Sequence, residues 1–277
     1  MRIWSFAKGH GTMNDFVLVK DRSGMLHPSS EDVRFLCDRR AGIGADGMLR
    51  AVKADSVPEW KGPGDLWFMD YRNADGSIAE MCGNGLRVFV KWLLEEDLVS
   101  GDVVDIATRA GLRRALPHHD GTITVTMGSP QWSADEVDLR LDGRQWTGHR
   151  VDVGNPHCVV REPNPSALDL AGHLEIDPVA FPYGANVEFV DQVGPDHLRL
   201  RVVERGVGET MSCGTGVVAA AWDAANTSAE PHLDGCAYTV DVPGGALTVT
   251  FAPDGQAHLT GPAVIVARGE VALPDAR

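Results

Sequence analysis

The sequence predicts an α+β protein made of two similar lobes, and three observations lead to this prediction. Short runs rich in β-branched and aromatic residues dominate the chain, and most are bounded by Gly, Pro, Asn or Asp. Helical stretches are fewer, and two of them are apolar nearly all round, which is typical of buried helices. A cysteine-containing motif of the first half also recurs, without a gap, in the second half.

The expected elements follow from these patterns in chain order. Strands are predicted at residues 15–19, 66–71, 121–126, 151–153, 187–190, 198–203 and 247–251. A first helix is expected from Ser30, as its N-cap, to about Arg39. Buried helices are expected to begin near Gly85 and near Gly216. The polar stretch 114–121 is the favoured linker, and mostly β structure with a few interior helices indicates an α+β class.

Charge excludes two classes of partner. Lys and Arg number 25 against 39 Asp and Glu, and the formal net charge of −14 repels nucleic-acid phosphates and anionic lipid surfaces. Nucleic acid and membranes are therefore not expected as partners. No apolar run is long enough to span a membrane, and the first residues lack the apolar core of a signal peptide. A cytoplasmic location is expected.

The cysteines indicate neither a disulfide framework nor a metal site. They are odd in number and contain no C-x-x-C spacing, so a zinc cage is not expected and a reducing compartment is. Residues 42–47 match G-x-G-x-x-G, but a helix precedes them and a strand follows, the reverse of the dinucleotide-binding order. We expect no metal and no other cofactor.

The repeat joins residues 73–85 to residues 204–216. In each copy a strand leads into a glycine-containing loop, then comes Cys-Gly-x-Gly, and then an apolar helix. A weaker repeat pairs residues 14–19 with 155–160. Two copies suit a pseudo-twofold pair of lobes with a cleft between them.

One copy of Cys-Gly-x-Gly places a thiol at the start of a helix, where free N–H groups and the helix dipole favour negative charge. Such a position lowers a thiol pKa and also suits a carboxylate. With two copies facing a cleft, Cys82 and Cys213 would flank one carbon. One thiolate could remove its proton and the opposite thiol could return another, which inverts the stereocentre. The alternative is that either cysteine is a small buried hydrophobic residue.

Several polar residues near the two motifs are candidate ligand contacts. Asparagines stand beside strands at corresponding places in both halves, although an Asn in a turn commonly serves its own backbone. Arg205 could bind a second carboxylate, or be a solvated surface residue. His157 and Glu204 could hold the protonation states of the thiols, although a satisfied loop histidine fits the spacing equally well. The asparagines are Asn14, Asn73, Asn155 and Asn186.

The chain resembles the diaminopimelate epimerases, and most closely those of actinobacteria. The matching stretches, in the family's order, are residues 8–16, 39–47, 71–77, 82–87, 154–157, 185–187, 204–210 and 213–216. The resemblance implies a cofactor-independent epimerase that interconverts LL- and meso-diaminopimelate for lysine and cell-wall synthesis. It also implies two lobes, each a mostly antiparallel sheet wrapped round a central helix, and usually a homodimer.

The resemblance further implies roles for individual residues. Cys82 and Cys213 would be the catalytic thiols, assisted by His157 and Glu204. The carboxylate at the reacting carbon would be held by Gly83, Asn84, Gly214 and Thr215. The pocket and the distal end of the substrate would be contacted by Asn14, Asn73, Asn155, Asn186, Glu204 and Arg205. The N-terminal lobe would comprise residues 1–118 with the C-terminal strand 263–277 returning to it, and the C-terminal lobe residues 119–262.

Two other functions remain open from the sequence. One is a two-thiol racemase of another amino acid, such as histidine or a basic amino acid. The other is a non-catalytic amino-acid-binding protein on the same fold.

Overall fold

The computed structural model describes residues 2–228 and 235–274, and these pack as two compact units. The first unit contains the described residues up to Val125 together with those from Pro262 onward. The second unit is Thr126–Gly261. Within the described residues, no helix has the length and apolar character that a membrane crossing needs.

The described residues form eighteen strands and three α-helices. The helices are α1 (Ser30–Cys37), α2 (Gly83–Glu95) and α3 (Gly214–Thr227). The strands are β1 (Arg2–Gly11), β2 (Asn14–Asp21), β3 (Gly47–Lys53), β4 (Trp67–Asn73), β5 (Val104–Thr108), β6 (Gly111–Pro117), β7 (Thr122–Gly128), β8 (Gln131–Leu141), β9 (Arg144–Asp152), β10 (Pro156–Arg161), β11 (Leu174–Ile176), β12 (Asn186–Gly194), β13 (His197–Glu204), β14 (Gly208–Thr210), β15 (Ala237–Val242), β16 (Gly245–Phe251), β17 (Ala257–Pro262) and β18 (Val264–Leu273).

The sheet of the first unit has the order β18-β1-β2-β3-β4-β5-β6-β7. The pairs β2–β3 and β4–β5 are parallel, and the other neighbours are antiparallel. The last strand of the chain, β18, therefore pairs with the first, from Arg2 opposite Leu273 to His10 opposite Val264.

The second unit repeats this succession. Strands β8, β9 and β10 are antiparallel neighbours, β10 runs parallel to β12, β12 is antiparallel to β13, and β13 runs parallel to β15. Antiparallel β16 and β17 follow, while β11 extends the edge at β8 and β14 pairs with β13. The duplication read from the sequence thus extends to the topology of the whole unit.

Each sheet curves round one buried helix. Helix α2 packs on β1, β2, β3, β6 and β18, and α3 packs on strands from β8 to β16. Contacts on so many strands bury all faces of each helix, which explains why their sequences are apolar nearly all round. The predicted α+β class, with strands wrapped round central helices, is confirmed.

The helix starts differ from the predictions by one or two residues. The N-cap of α1 is Ser29 and not Ser30, because Ser29 and Asp32 form a reciprocal capping box. Helices α2 and α3 begin two residues earlier than expected, with Cys82 and Cys213 as their N-caps. Each cysteine has extended backbone and therefore ends the preceding loop.

The favoured linker was wrong. Residues 114–117 belong to β6, and the following residues turn the chain into β7 with the His118 N–H bonded to the Thr122 carbonyl. Proline has no N–H to donate to a strand ladder, and Pro117 is tolerated because it is the last residue of β6. The lobe boundaries predicted at residues 118/119 and 262/263 stay a prediction about domains, whereas the packing units divide at Val125/Thr126 and at Gly261/Pro262.

Candidate active site

In the first unit, the loop after β4 delivers Cys82 to the start of α2. Its Sγ lies 3.4 Å from the backbone nitrogen of Gly85, whose N–H points at the sulfur. The first N–H groups of a helix have no partner within the helix. The Cys82 sulfur therefore takes the place of an N-cap oxygen, and the adjacent amides favour a negative charge at this point.

A strained turn brings Asn14 to this sulfur. Gly11 pairs with Asn14 across a two-residue turn, and both turn residues, Thr12 and Met13, have left-handed backbone (φ 49° and 62°). Such conformations disfavour β-branched and bulky residues and concentrate at functional sites. The Oδ1 of Asn14 lies 3.6 Å from Cys82 Sγ and 3.4 Å from the Asn84 Nδ2.

The orientation of the Asn14 amide is fixed by an ionic network behind it. Its Nδ2 donates to Asp46 Oδ2 at 2.8 Å, so its oxygen faces Cys82. Arg39 bonds both Asp46 and Asp15, and Lys8 also bonds Asp15. Burial alone raises the pKa of Asp15, but the bonds from Arg39 and Lys8 outweigh it and hold that pKa well below its usual range.

Arg87 lies one turn into α2 and is completely buried. Its Nη2 donates to Asn84 Oδ1 at 2.7 Å and its Nη1 to the Gly83 carbonyl at 3.3 Å. The Pro262 carbonyl and the Thr12 hydroxyl complete its surroundings, at 3.4 and 3.5 Å. Burial lowers the pKa of Arg87 to about 10, which leaves it charged at neutral pH, and the charge of a Cys82 thiolate acts in the opposite direction.

Asn73 stands at the end of β4 and organises the loop that leads to Cys82. Its backbone N–H bonds the Ser77 carbonyl and its Nδ2 bonds the Ser77 hydroxyl, each at 3.0 Å. Gly76 in this loop has φ 85°, a conformation that favours glycine. The recorded contacts of Asn73 thus serve the loop.

In the second unit, Cys213 is the N-cap of α3 and is buried. Its Sγ lies 3.4 Å from the Thr215 hydroxyl oxygen. Burial raises the pKa of the Cys213 thiol well above its ordinary value, and the charges of Glu204 and Glu188 raise it further. The Thr215 hydroxyl and the Gly216 amide oppose this shift but do not reverse it.

A buried histidine–carboxylate pair lies beneath the first turn of α3. His157 on β10 and Glu188 on β12 are both fully buried, with His157 Nδ1 2.7 Å from Glu188 Oε1. Because an ionised carboxylate only accepts, Nδ1 carries the proton of this bond. The His157 Nε2 lies 3.1 Å from Asn155 Oδ1. A β-carbon added to Gly216 would lie 2.5 Å from Glu188 Oε1, which shows how closely the carboxylate approaches the helix.

The remaining predicted residues of the second unit lie where β13 ends. Glu204 accepts a hydrogen bond from the Thr210 hydroxyl. Asn186 is buried and its Oδ1 accepts the Arg205 backbone N–H at 2.9 Å. The Arg205 side chain is exposed, with Nη1 3.3 Å from the Tyr183 carbonyl.

The predicted site residues thus form one cluster in each unit. The Cys82 cluster is Asn14, Cys82, Gly83 and Asn84, with Asn73 in the preceding loop. The Cys213 cluster is Asn155, His157, Asn186, Glu204, Arg205, Cys213, Gly214 and Thr215. The described residues contain no group of three or more His, Cys, Asp or Glu side chains arranged to hold a metal ion.

Sequence reasoning missed two fully buried charged residues that touch these clusters. Arg87 was passed over as part of an apolar helix, and Glu188 as part of an apolar strand. The signal was present in both cases, because a single charge inside a run of buried apolar residues requires a buried partner or a function.

A comparison with known protein families gives a match over most of the chain. A family model described as diaminopimelate epimerase matches residues 6–133 and 150–271. The chain belongs to the diaminopimelate epimerase family. It is similar to a diaminopimelate epimerase of Thermobifida fusca, with 48% identity over 97% of this chain and 98% of that protein. A diaminopimelate epimerase of Streptomyces coelicolor is 46% identical over 96% and 94% of the two chains.

Solved structures share the fold of this family member at low sequence identity. A probable proline racemase of Agrobacterium radiobacter superposes with a TM-score of 0.70 at 17% identity, covering 98% of this chain and 93% of that one. A hydroxyproline epimerase of Agrobacterium vitis gives 0.67 at 18% identity, covering 99% and 94%. These likenesses concern the fold alone.

Proposed function

We propose that this chain is an isomerase that converts LL-diaminopimelate to meso-diaminopimelate with no cofactor, by moving protons between two cysteine sulfurs and one carbon. The observation that carries the proposal is the matched placement of Cys82 and Cys213, each the N-cap of a buried helix. Membership of the diaminopimelate epimerase family supports the choice of substrate.

The proposed reaction consists of two balanced proton transfers. One sulfur, as a thiolate, takes the proton from Cα of the substrate and becomes a thiol. The electron pair left on carbon spreads onto the adjacent carboxylate. The other cysteine, as a thiol, gives its proton to the opposite face of the carbon and becomes a thiolate. The configuration is inverted, and the two sulfurs have exchanged protonation states.

The helix starts would bind the carboxylate that receives this charge. The amides of Gly83 and Asn84 in α2, and of Gly214 and Thr215 in α3, belong to first turns whose N–H groups have no partner within the helix. Donors placed where negative charge develops stabilise the transition state more than the ground state. His157 and Glu204 would assist the proton transfers, and both belong to the Cys213 cluster.

The distal end of the substrate would be recognised by Arg205 with the four asparagines and Glu204. A guanidinium carries five N–H donors, and the recorded side-chain contact of Arg205 uses one nitrogen on a carbonyl oxygen. Its remaining donors suit a bidentate bond to a second carboxylate. We further propose a cytoplasmic location and a homodimer, with no nucleic-acid or membrane partner.

Solvent deuterium uptake tests the reaction and the substrate together. The purified chain is incubated in D2O with LL-diaminopimelate, histidine, lysine or proline, and Cα deuterium is followed by NMR. Exchange and inversion of diaminopimelate alone supports the proposal. Exchange confined to another amino acid would identify a racemase of that compound, and no exchange with any would indicate a binding protein.

Replacing each sulfur tests the two-cysteine scheme. Serine is a good N-cap, so Cys82→Ser and Cys213→Ser should keep the helices while losing at least about 10²-fold in rate, because a hydroxyl is a far weaker acid than a thiol. Circular dichroism checks the fold. If either variant keeps a tenth of the wild-type activity, the scheme is wrong.

A further inference from the structure

The two cysteine clusters occupy equivalent positions in a repeated topology, so their surroundings can be compared residue by residue. Phe16 faces Gly47 across β2–β3, and His157 faces Asn186 across β10–β12. A β-carbon added to Gly85 of α2 would contact Phe16 and Leu49, at 3.3 and 3.5 Å. A β-carbon added to Gly216, the matching glycine of α3, would instead lie 2.5 Å from Glu188 Oε1. Leu49 and Glu188 therefore hold the same place in the two units.

This comparison shows opposite buried charges beneath the two helix starts. In the first unit the floor is apolar, and the buried charge is Arg87, four residues after the Gly83 of the motif. In the second unit the position that corresponds to Arg87 is the apolar Val218, and the buried charge is Glu188 bound to His157.

Each of these two groups is incompletely paired in the part of the chain that the structure describes. The recorded partners of Arg87 are carbonyl, amide and hydroxyl oxygens, and no carboxylate pairs with it there. The Glu188 Oε2 is buried and makes no hydrogen bond in the described residues. Burying an incompletely paired charge costs several kcal/mol, so such groups persist where the charge serves a function.

We propose that Arg87 and Glu188 are positioning residues that make the two cysteines unequal: Arg87 stabilises negative charge on Cys82, and Glu188 keeps Cys213 protonated. This rests on the proposed function, because it assigns the sulfurs their starting states in the two-cysteine reaction. The unliganded enzyme then holds its base at Cys82 and its acid at Cys213.

The groups around each sulfur agree with this assignment. Cys82 receives the Gly85 N–H and is near the Arg87 charge, which reaches it through Asn84 and Asn14. The Asn14 oxygen, 3.6 Å from the Cys82 sulfur, disfavours negative charge on that sulfur. It belongs to a neutral amide, however, and the carboxylate of its neighbour Asp46 is paired with Arg39. Cys213 is buried beside the carboxylates of Glu204 and Glu188, and burial and these two charges outweigh the Thr215 hydroxyl and the Gly216 amide, so the pKa of its thiol is raised.

Arg87 has a second consequence, which is geometric. A guanidinium only donates, so its bond fixes the Asn84 amide with oxygen inward and Nδ2 toward Asn14. Loss of Arg87 would therefore remove one of the bonds that orient the Asn84 amide at the proposed carboxylate site, as well as the charge.

The pH dependence of alkylation at Cys82 tests the role of Arg87 without any substrate. Iodoacetamide labelling is followed by peptide mass mapping from pH 5 to 10. For Arg87→Met we expect about tenfold slower labelling of Cys82 at pH 7 and a midpoint about one pH unit higher, while Arg87→Lys stays near wild type. An unchanged midpoint in a folded Arg87→Met protein would overturn the proposal.

The Glu188→Gln variant tests the second half of the proposal, the effect of Glu188 on Cys213. It can be measured even if the Arg87 variants do not fold. In a Cys82→Ser background, the thiolate absorbance at 240 nm should titrate at lower pH after Glu188→Gln than before it. In the wild-type background, Glu188→Gln should leave the Cys82 alkylation midpoint in place. An unchanged 240 nm titration, or equal shifts at both cysteines, would contradict the assignment.

Kinetics then separate this inference from the proposed function. If diaminopimelate is epimerised, Arg87→Met should lower kcat about tenfold with a smaller effect on KM, because the charge acts on the ionised states. If diaminopimelate is not a substrate, the shifts in alkylation and absorbance still decide whether Arg87 and Glu188 polarise the two thiols.

Discussion

Thr12 and Met13 are the residues whose local conformation conflicts most clearly with their chemistry. Both have positive φ in the turn between β1 and β2, where Asn and Gly are favoured. The turn sets Asn14 against Cys82 and the Thr12 hydroxyl against Arg87. A locally unfavourable backbone conformation therefore occurs at the turn that places the Asn14 amide and the Thr12 hydroxyl at the Cys82 cluster.

Replacing Met13 measures the strain in this turn. The side chain is 55% exposed, so Met13→Asn loses little packing and places a residue that tolerates left-handed backbone. We expect a gain of about 0.5–1 kcal/mol and a rise in Tm of roughly 1–3 °C. Met25→Asn, at an exposed site without positive φ, is the control and should change Tm by less. Equal shifts in both would argue against strain at Met13.

Among the elements, α1 shows how a short helix is held by its first turn. Asp32 accepts bonds from the Ser29 backbone, at 3.0 Å, and from both terminal nitrogens of Arg2 on β1. Burial raises the pKa of Asp32, but the bonds from Arg2 and Ser29 outweigh it and the net shift is downward. One carboxylate thus caps α1 and fastens it to the sheet.

The stabilisation by Asp32 should depend on pH. A carboxylate whose pKa is lower in the folded state stabilises the fold above its unfolded pKa of about 3.9, and this is lost as the pH falls through the folded value. We expect Asp32→Asn to cost about 1 kcal/mol at pH 7, measured by urea unfolding. The difference in unfolding free energy between Asp32→Asn and wild type should become smaller below about pH 4. A difference in unfolding free energy that stays constant over this pH range would contradict the explanation.

The elements also show what sequence patterns can and cannot predict. Central strands such as β4, β12 and β13 were identified because their runs are rich in aromatic or β-branched residues or alternate between apolar and polar residues. Strands β1 and β8 were not, since exposed and buried residues mix along them and each is specified by its pairing partners. Strand β18 was expected only through the family resemblance. Cys82 and Cys213 were found because the motif repeats. The Asn14–Cys82 and His157–Glu188 contacts join positions that only the folded chain brings together.

For the whole molecule, the pairing of β18 with β1 places the first and last described strands beside each other. Arg2 and Leu273 are direct partners in this ladder. Neighbouring ends are the condition under which circular permutation is tolerated. The hairpin between β6 and β7 supplies an opening point, because His118, His119 and Asp120 are all exposed.

A permuted chain tests this arrangement. Joining the two ends of this sequence through a short Gly-Ser linker and opening the chain between His119 and Asp120 should give a folded protein with activity within a few-fold of wild type. Opening inside α2, between Val88 and Phe89, should abolish folding because both residues are fully buried. Soluble yield, circular dichroism and the deuterium assay measure the outcome. An insoluble His119/Asp120 permutant would count against the importance of the β1–β18 pairing.

The burial of Cys37 and Cys158 has a practical consequence for covalent ligand discovery. Burial raises the pKa of each of these thiols to about 12, so both stay protonated and unreactive at neutral pH. Cys82 and Cys236 are the cysteines with partly accessible side chains. An electrophilic fragment library can therefore be screened on the unmodified protein by intact mass, and a single adduct that stops turnover would indicate attachment at Cys82.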